Sequence, residues 1–295
     1  MTSPLPSLHD DPRVAGVLTA ARIMYTDLDG TLLGRGGSML CDHDGKPTLT
    51  MAEAVIALNR AQLPVVICSG RNAVQLVEIT RMLGWTGFIA ELGAVFVRER
   101  GSDVSYNLGE WPADAVPTGI TPYQIIEASG ALERLFEAFP GLIEYHDPWH
   151  RNREATHVLR GAVDVTAAQR LVDEGDHLPI DIIDNGIIHP WRHTLVGVET
   201  VHVYHLIPRG VDKAQAVRAD LAWRGLDADA AFAAGDSLAD LKMAEAVALM
   251  ALVANGLDSP ETVAQAARLG NVVTTRERQG HGWSELAQMW LKARQ

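Results

Sequence analysis

Cysteine is nearly absent: Cys41 and Cys68 are the only two in 295 residues. That excludes a disulfide-stapled scaffold and suits a reducing, cytoplasmic setting. Long apolar runs are missing as well. No stretch reaches the roughly 18 consecutive apolar residues that a membrane-crossing helix needs. Residues 1–20 carry Asp10, Asp11 and three prolines, and the apolar stretch after Arg13 is short, which is not the pattern of a secretory signal. Positive charge is in deficit, 25 Lys and Arg against 37 Asp and Glu, for a formal net charge of −12. Such a surface repels phosphate backbones and anionic lipid, so neither nucleic acid nor a membrane is expected as a partner. Lysine is scarce in particular, confined to Lys46, Lys213, Lys242 and Lys292. No fixed-period repeat or low-complexity tract interrupts the chain.

What remains is ordinary globular material. The chain is 47% hydrophobic and 21% charged, and its length fits two domains or one domain carrying an insertion. Residues 1–20 read as a loose lead-in. Ile23–Thr26 is a short apolar run that ends in Asp-Leu-Asp-Gly, the pattern of a buried strand running into a polar loop. Residues 34–49 read as a long polar excursion. Thr50-Met-Ala-Glu53 has a capping-box pattern and predicts a helix to about Gln62. Pro64–Cys68 is a second strand, followed by Ser69-Gly70-Arg71 and a helix to about Leu83. Gly87–Ala90 is a third strand. Continuously apolar strands alternating with helices indicate an α/β fold with a parallel sheet covered on both faces.

The middle of the chain reads differently. Val95–Arg98 and Val104–Asn107 flank Gly101-Ser102 like a hairpin. Residues 112–200 then mix a helix over about Pro122–Phe139, strands near 142–145, 156–160 and 180–188, and a helix over Val165–Asp173. This stretch holds six of the eleven histidines and reads as an inserted α+β unit. The α/β rhythm returns with a strand at Val201–Ile207, a helix from Lys213 capped by Asp212, a strand at Ala230–Ala234, a helix at Leu238–Ala244, a strand at Val247–Val253, and closing helices at Pro260–Leu269 and Trp283–Arg294. The domain expectation is a core of residues 21–111 and 201–295 and an insert of residues 112–200.

Four polar signals follow strand ends or open helices: Asp27-Leu-Asp29-Gly-Thr31, Ser69, Lys213, and Gly235-Asp236-Ser-Leu-Ala-Asp240. In a parallel sheet the ligand crevice lies beyond the carboxyl ends of the strands, where all four could meet. Asp27, Asp236 and Asp240 together would form a mutually repelling carboxylate cluster that needs a cation. An all-oxygen donor set selects a hard ion such as Mg²⁺. Lys213 and Ser69 would suit a phosphoryl group. A carboxylate can attack phosphorus directly, and a second carboxylate at Asp29 could protonate the leaving oxygen and then activate water.

These motifs, in this order, resemble those of the haloacid dehalogenase-like superfamily of phosphohydrolases. The Ser69-Gly-Arg71 and Gly210-Val-Asp-Lys213 sequences and the long insert between them resemble its type II cap subgroup, which includes the Cof-like, sucrose-phosphate and mannosyl-3-phosphoglycerate phosphatases. The likeness covers about residues 21–111 and 201–295. It implies a Rossmann-like doubly wound core with an inserted α+β cap. It also implies Asp27 as nucleophile and Mg²⁺ ligand, Asp29 as general acid/base with its carbonyl on Mg²⁺, and Lys213 as the group orienting the nucleophile. Thr31, Ser69, Gly70 and Arg71 would form the phosphate-binding loops, with Asp236 and Asp240 as metal ligands. Asp at position 29 is the phosphatase choice; the superfamily's ATPases carry Thr there. Two positions differ from many Cof-like members: Ala239-Asp240 stands for Asn-Asp, and Leu92-Gly93-Ala94 for Asn-Gly-Ala.

The expectation is a cytoplasmic Mg²⁺-dependent phosphomonoester hydrolase, monomeric or homodimeric, acting on small phosphorylated sugars or phosphoglycerate derivatives through an aspartyl-phosphate. A phosphosugar mutase and a non-catalytic binding protein on the same scaffold are the alternatives. Arg71 could hold phosphate or pair with Glu91. The run His146, Asp147, His150, Arg151, Arg153 reads as a solvated loop, or else as a cationic lip over the crevice. Cys41-Asp-His-Asp44 reads as a turn and Cys68 as an inert core residue.

Overall fold

The computed structural model describes residues 5–101 and 103–295. Its strands are β1 (Ile23–Thr26), β2 (Val65–Cys68), β3 (Phe88–Ala90), β4 (Val95–Arg98), β5 (Asp103–Tyr106), β6 (Ile143–Tyr145), β7 (His157–Gly161), β8 (Ile180–Ile188), β9 (Val201–Pro208), β10 (Ala231–Gly235), β11 (Leu249–Leu252) and β12 (Val272–Thr274). Its helices are α1 (Arg13–Ala20), α2 (Thr50–Arg60), α3 (Ala73–Leu83), α4 (Pro122–Ala128), α5 (Ala131–Ala138), α6 (Val165–Val172), α7 (Lys213–Arg224), α8 (Leu238–Leu241), α9 (Pro260–Ala266) and α10 (Gln279–Ala293). Eight strands form one sheet in the order β12-β11-β10-β1-β2-β3-β4-β5. It is parallel from β12 to β3 and antiparallel at the β4–β5 edge.

The strand residues alternate between two cores, as a period of two requires when both faces are covered. Met24, Val65, Ile67, Phe232 and Ala234 point into a core shared with α1, α2, α3 and α10. Ile23, Tyr25, Val66, Cys68, Ala231 and Ala233 point into the opposite core, against α7, α8 and α9. This is the doubly wound α/β architecture expected. The chain leaves β1 toward β2 on one side, while β10 pairs on the other. The reversal of strand order therefore falls at the C-terminal end of β1, where such sheets place their ligands.

The second sheet has the order β6-β7-β9-β8 and is antiparallel throughout. One face packs Leu159, Ile180, Ile182, Tyr204 and Leu206 against Ile126, Leu132, Leu135, Ala168 and Val172 of α4, α5 and α6. The other face carries Val158, Val203 and His205 and looks onto the C-terminal ends of the core strands.

Several expectations need correction. Val201–Pro208 does not return the chain to the core. It pairs with β7 and β8, and the core resumes only at α7. The apolar pattern of that strand fits either sheet, because it is buried on both faces, as the core strands are. Residues 5–20 are no loose lead-in: Leu8 is buried, α1 packs against α10, and Ser7 bridges Thr274 in parallel with β12. The helix expected over 122–139 is two, α4 and α5, broken where Gly130 adopts φ 73°. Thr50 opens α2 from inside it, and Leu49 takes the cap position without a side-chain bond.

A buried carboxylate ties the two sheets' regions together. Glu91, in the turn after β3, accepts the backbone N–H groups of Glu154 (2.9 Å), Ala155 (3.1 Å) and Thr156 (2.9 Å) and the Thr156 hydroxyl (2.8 Å). The Arg153 guanidinium lies 3.6 Å away and donates to the Gly70 carbonyl at 2.8 Å. Glu91→Ala strands a buried cation and three amides, and should lower the free energy of unfolding by about 3–5 kcal/mol. Denaturant melts of the two proteins measure this directly.

Candidate active site

The site begins with β1. Asp27 sits one residue past its end, with its N–H donating to the Ala234 carbonyl of β10 at 2.9 Å. Lys213, the first residue of α7, is buried. Its ammonium donates to Asp27 Oδ1 at 2.7 Å and to Asp240 Oδ1. Asp212 caps that helix by accepting the Gln215 N–H, which fixes where Lys213 starts. Asp240 lies in α8, where its Oδ2 accepts the N–H groups of Asp236 (3.1 Å) and Ser237 (3.0 Å) and the Ser237 hydroxyl (2.6 Å). Both Asp240 oxygens are thus engaged by protein donors. Its part is to shape the Gly235–Ser237 loop and to hold Lys213.

Asp236 follows β10. Thr31 donates its hydroxyl to Oδ1 at 3.1 Å and Asn255 its amide to Oδ2 at 3.0 Å. Asn255 also donates to the Gly30 carbonyl at 2.9 Å and accepts the Gln279 N–H at 2.7 Å, so one side chain braces both metal-side loops. Gly30 has φ 80°, and a Cβ there would stand 2.4 Å from Asp236 Oδ2. Only glycine lets these loops approach so closely. A Cβ on Gly235 would meet that of Asp240 at 2.2 Å for the same reason.

Ligand oxygens of Asp27, Asp236 and Asp240 lie within 4.8 Å of one another, the one grouping among the described residues able to hold a metal ion. Burial first, and the neighbouring Asp240 carboxylate second, push the Asp27 carboxyl up to about 7 despite Lys213. Burial and the same neighbours push Asp236 well above the usual carboxylate range. Burial works against charge on Lys213 too, but the Asp240 and Asp27 carboxylates outweigh it and hold the ammonium protonated far above neutrality. The cluster carries more negative charge than one lysine balances. A hard divalent cation bound by Asp27 and Asp236 suits these donors and this deficit.

Ser69 is buried at the end of β2, where its Oγ accepts the Arg71 N–H at 3.3 Å. Ser69, Gly70, Arg71, Asp27, Asp29, Lys213 and Asp236 all line one cleft of about 540 Å³, together with Trp149, Val203 and His205 of the second sheet's region. Arg71 does not pair with Glu91. It grips the Asp29 carboxylate with two bonds, of 2.7 and 2.6 Å. The Asp29 carboxylate is half exposed and stands apart from the metal-side cluster. Thr31, expected among the phosphate contacts, gives its hydroxyl to Asp236 instead and does not line the cleft.

The polar run in the insert divides. Asp147 and Arg151 pair at the surface, whereas Arg153 is buried against Glu91 and acts as a brace rather than a lip. His146 faces the cleft. In Cys41–Asp44 the Asp42 carboxylate accepts the Asp44 and Lys46 N–H groups, which makes it a turn. Cys68 is buried, and burial pushes its thiol up to about 12, so it is inert. Asn255 and His205 escape the sequence reading. Asn255 had a usable signal: Val253-Ala-Asn-Gly256 is a turn directly after an apolar strand, as are the motifs that were found. His205 lies mid-strand and has none.

The signature of the haloacid dehalogenase-like hydrolase family matches residues 24–108. No curated protein sequence matches the chain. Among solved structures, the chain is similar to the sucrose-phosphatase of Synechocystis sp. PCC6803, solved with sucrose and phosphate. The two are 15% identical, with a TM-score of 0.61 over 92% of this chain and 98% of the other. It is also similar to protein 0175 of Thermoplasma acidophilum, at 18% identity and TM-score 0.60 over 92% and 98% of the chains. A haloacid dehalogenase-like hydrolase from Bacteroides thetaiotaomicron is 14% identical, with a TM-score of 0.58 over 91% and 98%. The fold is that of the haloacid dehalogenase-like hydrolases, with an inserted second unit.

Two outcomes follow from the carboxylate cluster. Asn255→Ala removes a partner of Asp236 and should weaken Mg²⁺ binding by about 10–100-fold, measured by titration calorimetry. Protons compete with the ion for carboxylates whose affinity for protons is raised. Divalent-cation affinity should therefore climb as pH rises through about 7, with proton release on binding. Calorimetry in buffers of different ionisation enthalpy reads that release.

Proposed function

We propose that this chain is a Mg²⁺-dependent phosphomonoester hydrolase of the type II cap kind, with the insert serving as the roof of its active site. The observation that carries the reading is the joining of Asp27, Lys213 and Asp236 at the switch point of a doubly wound sheet, facing a cleft closed from above by a second sheet. A cleft of about 540 Å³ suits a small phosphorylated metabolite. Sugar phosphates and phosphoglycerate derivatives are the proposed classes.

Asp27 is the nucleophile. Lys213 fixes its Oδ1, leaving the other oxygen to attack phosphorus in line as the ester P–O bond breaks. The Asp29 side chain, once released from Arg71, gives its proton to the departing alkoxide and then accepts one from the water that attacks the aspartyl-phosphate. Inorganic phosphate leaves and Asp27 is regenerated. Ser69 and the Lys213 ammonium donate to the phosphoryl oxygens as charge builds. Mg²⁺ held by Asp27 and Asp236 would neutralise phosphoryl charge and align the ester. Thr31, Asn255 and Asp240 keep the ligands and the lysine in place.

Hydrolysis of p-nitrophenyl phosphate tests the reading. Turnover should require Mg²⁺ and stop with EDTA, and Asp27→Asn should reduce it by about 10³-fold or more, as loss of a nucleophile does. Asp29→Ala should slow turnover and let a phosphorylated protein accumulate, visible by intact-mass spectrometry. Full activity of Asp27→Asn, or activity indifferent to EDTA, would overturn the mechanism.

A further inference from the structure

The part of the cleft beyond the phosphoryl position has an unusual charge balance. Each cationic side chain that lines the cleft among the described residues already faces a carboxylate. Lys213 is held by Asp27 and Asp240, Arg71 by Asp29, and Arg153 by Glu91. Arg153 also donates to the Thr156 hydroxyl, the Trp149 carbonyl and the Gly70 carbonyl. The remaining polar groups on the roof are the uncharged side chains His146, His205 and Asn185.

The two imidazoles are built in, not incidental. His205 is 3% exposed, on the cleft-facing side of β9, and its Nδ1 has no hydrogen-bond partner; the Nδ1 of His146 is likewise buried and unpartnered. Nine buried side-chain polar atoms lack a partner among the described residues, and His146 and His205 are the two of these residues that line the cleft, where a ligand can supply what the protein does not. Both rings are held neutral. Burial, then the charges of Arg160 and Arg153, pull His146 down to about 4. Burial, then Arg153 and His146, pull His205 well below its usual range. Asn185 Nδ2 and His205 Cε1 converge on the bare α-carbon of Gly70, 3.6 and 3.8 Å from where a Cβ would stand. Leu92 Cδ2 stands 3.4 Å from the same point, so the space between the roof and the Ser69-Gly70 loop there is no larger than a methyl group. Trp149 lines the same cleft and is half exposed, so an aromatic face is available to the C–H surface of a ligand.

We propose that His146, His205 and Asn185, with Trp149, form a leaving-group subsite that accepts an uncharged, hydroxyl-bearing alcohol and disfavours phosphate esters carrying a second anionic group. Neutral imidazole and amide groups can donate to and accept from hydroxyls. A second phosphate or a carboxylate would be desolvated against a roof that offers it no unmatched cation; Arg71, freed when Asp29 acts, belongs to the core loop after β2 and not to the roof. The inference rests on the phosphohydrolase reading and narrows its substrate class.

The test uses matched esters that differ by one anionic group: glycerol 3-phosphate against 3-phosphoglycerate, and a hexose 6-phosphate against the hexose 1,6-bisphosphate. The intact protein should favour the uncharged member of each pair in kcat/KM by about tenfold or more. His205→Ala should lower the ratio of kcat/KM for the hexose 6-phosphate to that for p-nitrophenyl phosphate by about tenfold or more, since only the hexose offers hydroxyls to the subsite. Asn185→Lys, at a partly exposed strand position, should move the preference toward the anionic member. Equal or faster hydrolysis of the anionic esters by the intact protein overturns the subsite. So does a preference that Asn185→Lys leaves unmoved. Failure to hydrolyse any ester, p-nitrophenyl phosphate included, overturns the hydrolase reading and takes this inference with it.

Discussion

The Lys213 ammonium stands between two buried carboxylates that would otherwise repel each other across a dry gap. It reaches Asp27 from one side and Asp240 from the other, and so ties the end of β1, the start of α7 and the turn of α8 into one body. Withdrawing one member of such a buried set leaves the others uncompensated, which makes the arrangement all-or-none. The chain satisfies it with small devices at each contributing segment: an aspartate cap before Lys213, glycines where loops pass within a methyl group of a carboxylate, and Asn255 bridging two loops. Asp240 belongs to this framework as well as to the carboxylate cluster, because both its oxygens accept from protein donors.

A second buried charge positions the roof. Glu91 gathers three consecutive amides and a hydroxyl from the 154–156 segment, while Arg153 reaches past it to the Gly70 carbonyl. The same contact thus sets the height of the second sheet and the shape of the loop carrying Ser69. Placement of a loop that lines the cleft matters to any chemistry carried out there, because misplacement by an ångström is expensive in rate.

The core and its metal side were legible in the sequence because their signals are local. Apolar runs of four or five residues ending in Asp, Ser or Gly mark both a strand and its functional end, and Asp27, Asp29, Ser69 and Asp236 follow such ends, while Lys213 and Asp240 lie in α7 and α8, whose starts are marked by the Asp212 and Ser237 caps. What was hidden depends on partners far away in the chain. Val201–Pro208 reads as a core strand because it is apolar and buried on both faces, as the core strands are; only pairing with β7 and β8 assigns it to the second sheet. The sequence leaves Arg71 open to phosphate or to Glu91, and the fold gives it Asp29 and gives Glu91 to Arg153. Thr31 sat in the right motif but its hydroxyl turns to Asp236. Residues 5–20 lack strong periodicity, and their order comes from edge pairing with β12 and the packing of α1 on α10.

The strand β9 alternates its loyalties: Tyr204 and Leu206 anchor it in a packed interior, while Val203 and His205, the odd-numbered neighbours, overhang the cleft. Chemical selectivity and structural integrity are thereby assigned to interleaved positions of a single segment. Evolution can rewrite the overhanging set one side chain at a time while the anchoring set keeps the backbone where it is. A scaffold so arranged lets the lining of the cleft vary while the sheet that carries it stays in place.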